Sequence, residues 1–155
     1  MATVYGNQYN NAYVAVPSVK INPGDVSGEV KFAYFDYTIT AVSVANDIIK
    51  LMKLPKNAKV LDACLSFPDL GTTGVLELGW AASADGVEAA SASGFLAAVD
   101  VNTAAATVNM QRVSGAAVAG FLKEFAAEVD VQIKVTTAWT VTSGTIKGFI
   151  SYVTI

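Results

Sequence analysis

Residues 128–135, Glu-Val-Asp-Val-Gln-Ile-Lys-Val, alternate without a break. Val129, Val131, Ile133 and Val135 share one side, with Asp130, Gln132 and Lys134 opposite. A period of two over this length is the pattern of a half-buried β-strand and does not fit an amphipathic helix. The same reading extends to the neighbouring segments. In VLELGWA (75–81), Leu76, Leu78 and Trp80 are predicted to point inward, against Glu77 and Gly79. In AKVLDACLSF (58–67), the inward set is Leu61, Ala63, Leu65 and Phe67.

Pro68-Asp69-Leu70-Gly71-Thr72-Thr73-Gly74 lies between these two runs and carries the residues that favour turns, so a β-hairpin is expected there. A second hairpin is expected at the C-terminus. There Ser143-Gly144 separates the strand containing Trp139 and Val141 from TIKGFISYVTI (145–155). In that last run Ile146, Ile150 and Tyr152 occupy one face, with Phe149, Val153 and Ile155 on the other.

Towards the N-terminus, VKFAYFDYTIT (30–40) is rich in β-branched and aromatic residues. Ala33, Phe35, Tyr37 and Ile39 form its inward face. Phe32 and Tyr34 make the other face partly apolar, which a strand with one wet side does not need. DIIKLMKL (47–54) reads as a strand closed by Pro55. Ser93 is placed to cap a short helix carrying Phe95, Leu96 and Val99, and Phe121, Leu122 and Phe125 share a helical spacing. The Ala-rich segment 101–120 has no clear period, with a weak strand signal near Val108–Val113.

Many short strands and little helix predict an all-β fold, a jelly-roll-like β-sandwich with one or two short helical segments. Residues 30–155 are expected to form one sandwich domain. Residues 1–29 are expected to form an extended N-terminal arm, because Asn, Pro and Gly alternate there with Tyr5, Tyr9 and Tyr13. Such an arm either lies on a neighbouring subunit or is a loosely ordered terminus.

Of the 155 residues, 53% are hydrophobic and only 15% charged, against about 25% charged in an average soluble domain. A surface so poor in charge favours partners that cover part of it. The net charge is −3 and the ten basic residues are scattered, which argues against direct nucleic-acid binding. No apolar run approaches the roughly 20 residues that span a bilayer, so no membrane partner is expected. The first residues lack the basic and apolar regions of a secretory signal.

The chain contains no histidine, which excludes Ser-His and Cys-His nucleophile pairs and the commonest zinc-hydrolase sites. Cys64 stands alone, so no disulfide or structural zinc site follows from it. Asp62, Glu77, Glu128 and Asp130 lie on predicted strands, but nothing in their spacing makes a catalytic pair. Glu128 and Asp130 instead fit a solvated strand face. Asp69, Asp85, Glu88 and Asp100 fall in or beside loops without a calcium-loop pattern. Gly71-Thr72-Thr73-Gly74 lacks the lysine of a phosphate loop. Trp80 reads as core, and Trp139 is open to either a core or a contact role. No enzyme activity, cofactor or metal is expected.

The run LMKLPKNAKVLDACLSFPDLGTTGVLELGW (51–80), the short FLAAVDV segment (95–101) and the closing GTIKGFISYV (144–153) resemble the head decoration, or cement, proteins of tailed bacteriophages. The resemblance spans about residues 30–155. It implies a virion structural protein on the capsid exterior that stabilises the shell as a homo-oligomer, a trimer, bound to the major capsid protein. It also implies synthesis in the host cytoplasm without a signal peptide. Tyr5, Tyr9, Tyr13, Phe32, Tyr34 and Trp139 are the candidate partner contacts. A tail or head-fibre component and a carbohydrate-binding sandwich are the competing readings.

Overall fold

The computed structural model describes residues 28–102, 104–110 and 119–155. Among the described residues eight strands run in the order β1 (Val30–Thr38), β2 (Ile48–Leu54), β3 (Ala58–Phe67), β4 (Val75–Trp80), β5 (Ser91–Asp100), β6 (Ala106–Asn109), β7 (Val129–Thr137) and β8 (Thr145–Thr154). They form two four-stranded sheets. The first has the order β1-β8-β3-β6 and the second β2-β7-β4-β5, with every neighbouring pair antiparallel. The chain changes sheet at every connection except β4–β5, which is the double-sheet order of a jelly roll.

Neither expected hairpin forms. The connection after β3 leads into the other sheet, and so does the connection after β7. The Pro, Asp and Gly signals do mark sharp turns, with positive φ at Gly71, Gly74 and Gly144. Turn chemistry specifies where the chain bends and not which strand it rejoins. Here the bends close one end of the sandwich. Leu70, fully buried, donates its amide to Val101 and accepts from the amide of Thr140.

Alternation holds for β1, β4 and β7, whose inward residues, among them Phe35, Leu76, Leu78, Val131 and Ile133, fill the space between the sheets. β3 departs from it. A bulge between Val60 and Asp62 shifts the register, so Val60 is fully buried and Leu61 only half-buried. The predicted inward position of Leu61 falls on the wrong side of that bulge.

The helix expected at 93–99 is strand β5. Two register shifts against β4 and a positive φ at Ala98 let adjacent Phe95 and Leu96 both turn inward. The i, i+1, i+4 spacing that imitates a helix is the signature of these bulges. Phe121, Leu122 and Phe125 do not form a helix either. They belong to a turn followed by an extended stretch that runs beside the start of β3. Leu122 donates to the Val60 carbonyl, Phe125 donates to Ala58, and Lys59 forms a bridge to Glu124. Of the weak strand signal at 108–113, only Val108 and Asn109 fall in β6, which begins earlier at Ala106, and 111–118 lie outside the described residues.

Candidate interaction surface

The two outer faces differ sharply in chemistry. On the first sheet, register places Tyr34, Phe149, Cys64 and Asn109 in one row across all four strands. The next row holds Phe32, Ser151 and Asp62, and the one beyond it Val30, Val153 and Lys59. Phe32 and Tyr34 remain 52% and 74% exposed, and Val30 is exposed beside them. Their rings form one cluster with Phe149, at centroid distances of 6.2 Å (Phe32–Tyr34), 5.6 Å (Phe32–Phe149) and 6.1 Å (Tyr34–Phe149). The row of Asp36, Lys147, Ser66 and Thr107 bounds the patch with polar side chains.

The second sheet presents ion pairs instead. Lys50 meets Asp130 at 2.7 Å and Lys53 meets Glu128 at 2.5 Å. These four residues, with Ala81, Ala82, Ala84 and Asp85, line an open cleft of about 380 Å³. The hydrogen bond from Lys50 holds the Asp130 carboxyl below its usual range, against a smaller upward push from burial. Asp130 is therefore held ionised beside Lys50, and Glu128 is paired with Lys53, as on a solvated face. Gln132 shares that face by register, opposite Lys50, but is buried there.

The loop acids serve the backbone. Asp69 accepts the amide of Gly71, Asp100 that of Asn102, and Asp85 both the Ser83 hydroxyl and the amide of Val87. Those bonds, the one from Ser83 foremost, lower the Asp85 pKa. Glu88 departs from the reading of a wet loop acid. It is 8% exposed, pairs with Lys123 at 2.8 Å and accepts the amide of Ala126. No periodicity or motif signals this pair, because Glu88 sits in an irregular loop and Lys123 in another, far away in sequence. Among the described residues no group of three or more potential metal ligands converges. No helix there is long and apolar enough to cross a membrane.

The six predicted contact residues separate into three groups. Phe32 and Tyr34 lie on the exposed patch. Trp139 does not lie at the surface: it is 2% exposed, its indole donates to the Ala41 carbonyl and its amide to the Ser43 hydroxyl. Its expected contact role is thus corrected to a core one, for it closes the end of the sandwich beside the bend at Gly74. Tyr5, Tyr9 and Tyr13 lie outside the described residues. Trp80 is buried as predicted, with its indole donating to the Ala89 carbonyl. Periodicity alone does not pair Phe149 with Phe32 and Tyr34. Its place on the outward face of the last strand was the available signal, but strand order was needed to bring it beside β1.

No protein-family model matches this chain, and no curated protein sequence matches it. Solved structures do. The chain is similar to a chain from the capsid of Ralstonia phage GP4, with 28% identity and a TM-score of 0.67, over 84% of this chain and 88% of that one. It shares its fold with a chain of the cyanophage Pam1 capsid asymmetric unit, at 22% identity and a TM-score of 0.65, over 93% of this chain and 99% of that one. The similarity to the Ralstonia phage GP4 capsid chain supports a structural protein of a phage virion.

Proposed function

We propose that this chain is a non-enzymatic phage virion protein that decorates and stabilises the capsid shell by binding the lattice of the major capsid protein. In this reading it acts from the capsid exterior as a homo-oligomer, a trimer, with residues 1–29 as an extended arm. The observation that carries it is the aromatic patch of Phe32, Tyr34 and Phe149 on a sheet face that a free sandwich has no reason to leave apolar. The ion-paired opposite face suits exposure to water. The similarity to a chain from the capsid of Ralstonia phage GP4 supports the virion setting.

Such a protein needs no chemistry. Each copy bridges shell subunits, and an oligomer multiplies weak contacts into a slowly dissociating attachment. The test is co-sedimentation of the purified protein with expanded capsids that lack it, followed by their melting temperature. Binding with a higher melting temperature is expected, and absence of binding overturns the proposal. Immunogold label confined to the tail would replace it with a tail-component reading. The carbohydrate-binding alternative loses its support here, because both indoles are buried.

A further inference from the structure

The four sheet edges of this sandwich are unequally protected. β6 has only four residues. β5 is broken by register shifts against β4 and by the positive φ of Ala98. β2 carries a bulge between Lys50 and Met52, together with the lysines at 50 and 53. Shortness, bulges and lysines are the devices that stop an edge from pairing with another chain. β1 has nine residues in unbroken register with β8, no proline and no bulge. Its charges, Lys31 and Asp36, lie towards its ends, and among the described residues no strand occupies its outer side. Exposed Phe32 and Tyr34 add apolar area along that open edge.

From the shape of this edge and the sequence before it, we infer that Tyr9–Val16 of a neighbouring copy adds to β1 as a further strand, so that the oligomer is held by exchanged arms. The 27 residues ahead of Gly28 lie outside the described structure and join it at the start of β1. Within them Ala12-Tyr13-Val14-Ala15-Val16 has strand-forming residues, and Pro17 ends the run. A chain returning onto its own β1 must reverse within residues 17–29, where Asn22-Pro23-Gly24-Asp25 carries the turn-favouring residues. Both tight hairpin turns require positive φ at the first central residue, whereas proline holds φ near −65°. A two-residue hairpin centred on Pro23-Gly24 is therefore barred, which leaves a return onto the same chain's β1 to another turn or a longer loop within residues 17–29.

A neighbour's arm needs no such reversal. Residues 17–28 can span up to about 40 Å when extended, comparable with the width of a domain of this size. Main-chain hydrogen bonds would supply affinity, and Tyr13 placed on the outward side would extend the ring cluster of Tyr34 and Phe149.

The inference rests on the self-association in the reading above, but not on shell binding, so it is tested on free protein. The full chain is prepared with p-benzoylphenylalanine in place of Tyr13, mixed from light and 15N-labelled copies, weighed by native mass spectrometry and then photo-crosslinked. The expected result is an oligomeric mass and a joined peptide pair of mixed isotope linking residue 13 to 30–38. A monomeric mass overturns the self-association and the inference together. An oligomer whose cross-link stays within one chain, or lands outside 30–38, overturns the arm exchange alone.

Discussion

The Lys123 ammonium sits 2.8 Å from the Glu88 carboxylate and 5.1 Å from the centroid of the Phe125 ring. Trp80 lies 5.7 Å from the same ammonium. The pair ties the β4–β5 loop to the segment leading into β7, over an aromatic cluster in which Trp80 packs on Phe95 at 5.0 Å and on Phe125 at 5.1 Å. Burial alone would raise the Glu88 pKa. The hydrogen bond and charge of Lys123 and the amide of Ala126 outweigh it and hold the carboxyl below its ordinary value.

Glu88→Gln leaves Lys123 without its counter-charge and is expected to cost about 2–3 kcal/mol at pH 7. The folded pKa lies below the unfolded one. Stability from this carboxylate is therefore complete above the usual carboxylate range and is lost as pH falls below about 4. Urea melts of both proteins at pH 7 and pH 3 check this: the gap between them should shrink in acid. A gap of equal size at both pH values would show that the ion pair is not its source.

Leu122 has φ of +57° and is 49% exposed. A branched side chain in the left-handed region costs roughly 1–2 kcal/mol relative to the right-handed one, and burial here offsets little of that. Leu122→Gly is expected to leave stability unchanged or raise it by about 1 kcal/mol, after the entropy that glycine loses on folding. Thermal denaturation measures it. A marked loss would mean that the leucine side chain makes a stabilising contact.

How far the sequence spoke for the fold depended on the regularity of each strand. β7 and β1 follow strict alternation, so their inward residues were legible from Val129–Val135 and Phe35–Ile39. β3 and β5 contain bulges, which move Val60 inward and place Phe95 beside Leu96 on the same side. A period of two cannot anticipate an extra residue. Strand order was illegible for a different reason: the turn residues of 68–74 fit a hairpin and a sheet crossing equally well. The exposed patch was half-legible, since Phe32 and Tyr34 broke the expected pattern within β1. Trp139 was misjudged because its burial comes from the β1–β2 loop, at Ala41 and Ser43, nearly a hundred residues away.

Gly148 lies between Phe35 and Leu65 in the first sheet. A Cβ there would stand 2.2 Å from the Cys64 carbonyl oxygen and 2.5 Å from the tip of the Phe35 ring. The carbonyl belongs to a paired strand and cannot retreat without disturbing the β3–β8 ladder. Gly148→Ala is expected to destabilise by about 2–3 kcal/mol through overpacking. Gly86→Ala supplies the comparison. Gly86, unlike Gly148, has positive φ, but nothing lies within 4 Å of its Cβ, so only the backbone cost of roughly 1 kcal/mol applies. Equal losses in the two variants would contradict the steric argument.

Phe35 and Tyr34 are adjacent in β1 and point to opposite sides, with 6% and 74% exposure. Phe35→Ala empties a core site and is expected to cost about 3–5 kcal/mol. Tyr34→Ser gives up only the tilted ring contact with Phe149 and the stacking on Phe32, about 1 kcal/mol or less. If the patch is where the shell or a second copy docks, the order reverses for assembly. Tyr34→Ser folds normally yet loses association at least tenfold, because aromatic anchors at the centre of an interface carry most of its energy. Urea melts and capsid co-sedimentation of the same two variants separate the effects. Normal capsid binding by a doubly substituted Phe32→Ser, Tyr34→Ser chain would place the docking face elsewhere on the sandwich.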